Sequence, residues 1–168
     1  MRVLRIQLAP RKKNQVLVHL EGTEDIEPLK IALDVMERSG LHVGDDVTAK
    51  DLAQLQEDDT KWRTHQAALH LLSYRPRAEQ ELRVRLRSKG FPHASVEWCL
   101  RHLEEQGLID DHNFASAFVR SRIRLRPRGR FRLSQELREK GVTAEVAEQA
   151  IDQAFSNEET SEQDLARA

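Results

Sequence analysis

Cys99 is the only cysteine among 168 residues. No internal disulfide can form, and no second sulfur stands near it to build a thiolate metal site or a redox pair. Long apolar runs are also missing. Stretches such as Val16-Leu17-Val18 and Ala67-Ala68-Leu69 fall far short of the roughly 20 residues that span a bilayer. The basic start Met1-Arg2 leads into strand-like sequence instead of a signal-peptide core, so a cytoplasmic protein without membrane contact is expected. The seven glycines form no phosphate loop, because Gly40 and Gly44, or Gly90 and Gly107, lack its spacing and context. The histidines show no ligand spacing: His65 and His70 are five apart, and His102 and His112 straddle a loop. No metal and no cofactor are expected. Cys99 reads as a small core side chain with no activating base, and the chain is not expected to be an enzyme.

Charge is plentiful and unevenly placed. The formal net charge is −1, yet residues 61–142 carry 18 basic and 9 acidic side chains. Residues 1–60 carry 8 and 12, and residues 143–168 carry 1 and 7. A basic centre between acidic ends attracts a polyanion or an acidic protein surface while limiting indiscriminate adhesion.

That centre is a tandem repeat. Arg75-Pro76-Arg77 and Lys89-Gly90 return 51 residues later as Arg126-Pro127-Arg128 and Lys140-Gly141. Leu82, Leu86, Arg87 and Glu97 return on the same offset as Leu133, Leu137, Arg138 and Glu148. One supersecondary unit has been used twice. Each copy reads as three helices: a first one before the proline, a second with leucines four apart, a glycine stop, and a third. In the first copy the third helix covers roughly 94–106 and buries Val96, Cys99, Leu100 and Leu103. In the second, Asp110 or Asp111 caps a helix containing Phe114, Ala115, Phe118 and Val119, and the last helix runs over 143–155.

Ahead of the repeats, Val3–Leu8 and Gln15–Leu20 are rich in strand formers and flank the polar Arg11–Asn14 turn, predicting two paired strands. The segment 29–36 fits either a third extended piece or a helix. Thr48 is the expected N-cap of a helix over 49–56, and Glu57-Asp58-Asp59 reads as a linker. The expected fold is mainly α: tandem three-helix repeats in an extended arrangement after a small N-terminal module with a β-hairpin. The expected domains are 1–60 for that α+β module, 61–108 and 109–156 for the repeats, and 157–168 for an acidic tail or the start of an incomplete third repeat.

Leu71-Leu72-Ser73-Tyr74-Arg75-Pro76-Arg77, Glu81-Leu82 through Lys89-Gly90-Phe91, Gly107-Leu108-Ile109-Asp110-Asp111 with Phe114-Ala115, and Glu136-Leu137 through Lys140-Gly141-Val142 together resemble the RecX family of bacterial recombination regulators. The resemblance covers about residues 61–156. It implies a non-enzymatic regulator that binds the RecA recombinase, chiefly as its filament on single-stranded DNA, and inhibits its ATPase and strand-exchange activities; a monomer is expected. It also implies three repeats. Two are visible here, so a reduced reach along the filament is expected.

Arginine occupies every even position from Arg120 to Arg132. In a helix Arg120 and Arg124 share one face and Arg122 and Arg126 another, while the loop arginines Arg126, Arg128 and Arg130 are placed to project outward. Guanidinium forks bind phosphates or carboxylates bidentately, so Arg120, Arg124, Arg126, Arg128 and Arg130 are candidates for RecA or DNA-phosphate contact. Arg75 and Arg77 hold the equivalent place in the first repeat, where binding the partner and closing the preceding helix compete as readings. Lys89 and Lys140 read as helix-end cations, and Asp110-Asp111 as caps instead of metal ligands. The alternative function is a non-sequence-specific DNA-binding module of helix-turn-helix-like units, with weak direct DNA contact.

Overall fold

The computed structural model describes residues 1–125 and 129–167, with side chains described as far as Asn157. Contacts divide the chain into two compact units, Met1–Ala67 and Ala68–Ala168.

The first unit opens with three antiparallel strands, β1 (Val3–Ala9), β2 (Lys12–Leu20) and β3 (Leu29–Ala32), in the order β1-β2-β3. The hairpin turns at Pro10-Arg11, tighter than the four-residue polar turn expected, and Lys12-Lys13 already belong to β2. The segment that fitted strand or helix is both: β3 passes directly into α1 (Leu33–Ser39). Alternation along β2 puts Val16, Val18 and Leu20 on one face. They join Val3, Ile31, Val35, Met36, Val47 and Leu55 in a single core.

Helix α2 (Ala49–Tyr74) is one element of 26 residues. Thr48 caps it as expected: its Oγ1 accepts the Asp51 N–H at 3.1 Å, and the Asp51 carboxylate accepts the Thr48 N–H at 2.8 Å. The expected linker at Glu57-Asp58-Asp59 is helical, which corrects the sequence reading. Pairing at i,i+4 keeps the acids in register, Glu57 with Lys61 at 2.8 Å and Asp59 with Arg63 at 2.9 Å. Asp59 is buried and accepts the Ala32 N–H at 2.7 Å. Its carboxylate is a structural acceptor, not part of a solvated run.

The second unit contains α3 (Glu79–Ser88), α4 (His93–Glu105), α5 (Asp111–Leu125), α6 (Arg130–Glu139) and α7 (Ala144–Arg167). With the end of α2 they form two three-helix sets. Leu82, Leu86, Leu133 and Leu137 are fully buried, as their four-residue spacing dictates, each contributing about 1.5–3 kcal/mol of burial free energy. Val96, Cys99, Leu100 and Leu103 are buried along α4. Burial pushes the Cys99 thiol up to about 11, the condition of an inert core cysteine. The second core gathers Ala115, Val119, Leu133, Leu137, Val142, Ala147 and Ile151 together with Ala78. Ala78 comes from the first set, so the two sets share a seam. The last helix continues past Phe155 to Arg167; residues 156–167 contain no Gly or Pro to stop it.

Candidate partner-binding surface

Arg75 and Arg77 flank Pro76, just ahead of the Ala78 N-cap of α3, and both turn toward Glu81. Arg77 is only 8% exposed; its Nε donates to the Leu71 carbonyl at 3.0 Å and its Nη1 to Glu81 at 2.7 Å. Arg75 reaches the same carboxylate at 2.5 Å, and Arg85 lies 3.4 Å from it. Burial pushes the Glu81 carboxyl up, but the hydrogen bonds from Arg75 and Arg77 outweigh it and hold the group below the ordinary carboxylate range. Arg77 thus closes the end of α2. Arg75 is exposed and sits at the rim of the same cluster.

Beside this cluster lies an open groove of 790 Å³. Arg75, Arg77, Arg120, Arg122 and Lys140 line it over an apolar floor of Leu108, Phe114 and Phe118. Arg122 packs over the Phe118 ring at 4.9 Å and lies 3.6 Å from Glu136. The fold therefore brings the first Arg-Pro-Arg turn next to the arginine series of the second repeat, a convergence that linear spacing did not reveal.

Arg120 and Arg124 are exposed on α5 and form no ion pair among the described residues. They share one face, as the helical period requires, and line a second groove of 730 Å³ between α5 and α7. Asn113, Ser116, Gln153 and Asn157 supply its other polar groups, over Ile123, Ala150 and Ala154. Among the described residues no carboxylate lines it. The three amides were not singled out in the sequence, because they come from two helices and share no motif.

Arg130 opens α6 instead of projecting from a loop. It pairs with Asp152 and lies 4.9 Å over the Phe155 ring, so much of its fork is already engaged. Arg126 and Arg128 lie outside the described residues. Asp110 and Asp111 are both caps, on different helices. Asp110 accepts the Asn113 N–H at 3.2 Å at the start of α5, whereas Asp111 accepts the Glu79 N–H at 2.9 Å at the start of α3. Among the described residues no group of His, Cys, Asp or Glu is placed to hold a metal ion, and no helix is long and apolar enough to cross a membrane.

Two family models match consecutive parts of the chain: "RecX, first three-helix domain" over residues 65–103 and "RecX, second three-helix domain" over residues 110–151. The chain belongs to the RecX family. The Regulatory protein RecX of Halalkalibacterium halodurans is 34% identical over 160 residues, covering 95% of this chain and 59% of that protein. That of Prosthecochloris aestuarii is 37% identical over 97 residues, 58% of this chain and 64% of its own length. This RecX chain thus spans about three-fifths of the length of these relatives. A crystal structure of regulatory protein RecX superposes with a TM-score of 0.72 at 27% identity, covering 90% of this chain and 73% of that one. These relatives are named regulatory proteins, not enzymes. The two RecX domain matches fall on the two helix sets that the 51-residue offset marks out.

Proposed function

We propose that this RecX chain binds RecA recombinase filaments on single-stranded DNA and inhibits RecA's ATPase and strand-exchange activities. One observation carries the reading within the family: Arg120 and Arg124 stand exposed on one face of α5 without ion pairs among the described residues, in the segment where basic side chains outnumber acidic ones two to one. Unpaired guanidiniums at a rigid helix surface lose little side-chain freedom per contact and bind carboxylates or phosphates bidentately. A filament offers both, protein acids and DNA phosphates, along a repeating surface. Inhibition on this reading needs no chemistry from the chain; occupying the filament alters how its subunits turn over ATP.

ATP turnover by RecA on single-stranded DNA, titrated with this chain, tests the proposal. Turnover falls to a plateau as filaments saturate. Unchanged turnover at demonstrated saturation contradicts inhibition.

The second reading is direct, non-sequence-specific DNA binding. The groove between α5 and α7, with Arg120, Arg124 and three side-chain amides, favours it, since such groups track a phosphodiester backbone. It predicts binding to bare single strands that weakens with salt, the slope of log K against log salt falling by about 0.7 for each phosphate neutralised.

A further inference from the structure

The groove of 790 Å³ beside the first Arg-Pro-Arg turn holds more positive charge than the carboxylates around it offset. Arg75 and Arg77 share Glu81 with Arg85, and Arg122 shares Glu136 with Arg132. Arg120 and Lys140 also line the groove and form no ion pair among the described residues. Asp110 is the one carboxylate among the described lining residues, and it is turned to the Asn113 N–H at 3.2 Å. An anion entering this concave wall meets a surplus of cations, where the field is focused.

The floor under these cations is apolar. Leu108 is 49% exposed, on a backbone fixed by its own N–H, which donates to the Leu103 carbonyl at 2.9 Å and closes α4. Phe114 and Phe118 lie half-buried in the same floor. Their rings are nearly parallel with centroids 6.2 Å apart, and Arg122 covers Phe118 at 4.9 Å. Rings engaged in this way are not the free platforms on which single-stranded nucleic acid stacks its bases. A phosphodiester strand supplies the charge this groove calls for but finds no seat for its bases. An acidic peptide with one large apolar side chain supplies both parts.

We propose that this groove is the docking site for an acidic peptide segment of the protein partner, anchored by one large apolar side chain. The anchor covers Leu108 and the edge of the phenylalanine pair, and carboxylates on either side of it meet Arg120 and Lys140, with exposed Arg75 at the rim. Guanidiniums bind such carboxylates bidentately, while the apolar contact excludes water from the ion pairs and strengthens them. The site belongs to the proposed reading, in which the partner is the RecA filament, and rests on it.

Two variants of the full chain and two synthetic peptides test it against RecA filaments on single-stranded DNA. Leu108→Ala keeps the backbone bond that closes α4 and removes the apolar seat; filament affinity falls roughly tenfold. Lys140→Gln keeps the side chain's length and removes its charge; affinity falls roughly fivefold, and less at high salt. Both variants stay folded at the assay temperature, checked by thermal melts, and bind bare single-stranded DNA as the wild type does. A peptide of glutamates around one leucine displaces the wild-type chain from filaments, and the same peptide with serine for leucine does so far less. Wild-type binding to filaments with both variants binding equally well overturns the docking site and leaves the functional reading intact. Failure of the wild-type chain to bind filaments overturns both. An equal loss by the variants on bare single-stranded DNA makes nucleic acid the occupant, and equal displacement by the two peptides reduces the contact to charge alone; either result overturns the anchored acidic segment.

Discussion

The Asp111 carboxylate accepts the Glu79 N–H at 2.9 Å, so the first residue of α5 caps the first residue of α3 across the repeat seam. Its neighbour Asp110 caps its own helix through Asn113. Adjacent acids in one sequence motif therefore serve two helices, one of them 32 residues away. Removing either carboxylate exposes a helix N-terminal donor without its partner.

Asp111→Ala is predicted to cost about 1 kcal/mol of unfolding free energy, and Asp111→Asn a smaller part of it, since an amide oxygen also accepts. Urea denaturation of the two variants measures this. Equal stability of wild type and Asp111→Ala would remove the cross-repeat cap from the account.

Glu81 ties three arginines to the start of α3, and its carboxyl is held below its ordinary value of 4.5. A depressed folded-state pKa stabilises the protein fully above the unfolded value, and that stabilisation is lost as pH falls through the folded pKa. Glu81→Gln leaves Arg77 buried without its counter-charge, at a cost of about 2 kcal/mol near neutral pH. The gap between wild type and variant narrows below pH 4.5. A gap constant from neutral pH to pH 3 contradicts the assignment.

Gly90 and Gly141 are repeat equivalents with φ of +94° and +86°, so alanine at either costs about 1 kcal/mol of backbone strain. Only Gly141 faces an obstacle, the Gln80 side chain, which lies 2.4 Å from where an alanine Cβ would stand. Gly141→Ala is therefore predicted to lose about 1–3 kcal/mol more than Gly90→Ala, read from paired thermal melts.

Much of this architecture was legible because it is periodic. Leu82, Leu86, Leu133 and Leu137 announce buried helix stripes at a spacing that no strand shares, and the Gly90 and Gly141 stops mark helix ends. The continuity of α2 was not legible. Glu57-Asp58-Asp59 looks like a solvated acidic break, and its helical state depends on Lys61 and Arg63 one turn on and on the distant Ala32 N–H that Asp59 accepts. The arginines divide in the same way. Alternation predicted that Arg120 and Arg124 share a face, but nothing local revealed that Arg77 would be buried on Leu71 and Glu81 or that Arg130 would meet Asp152.

Reversing Arg120 and Arg124 together to Glu is predicted to weaken filament binding by roughly tenfold or more, as expected for rim charges that steer and hold an anionic partner. Thermal stability stays within about 0.5 kcal/mol, because exposed unpaired charges contribute little to folding. Loss of folding with binding would make these arginines structural.

The central claim is that RecA filaments, more than free RecA or DNA alone, are what this chain recognises. Affinities for RecA filaments on single-stranded DNA, for free RecA and for bare single-stranded DNA, measured side by side at one salt concentration, test it most directly. The account predicts that filaments bind tightest, with both components alone weaker by at least about tenfold. Bare single-stranded DNA binding as tightly as the filament would contradict it and make the chain a DNA-binding module.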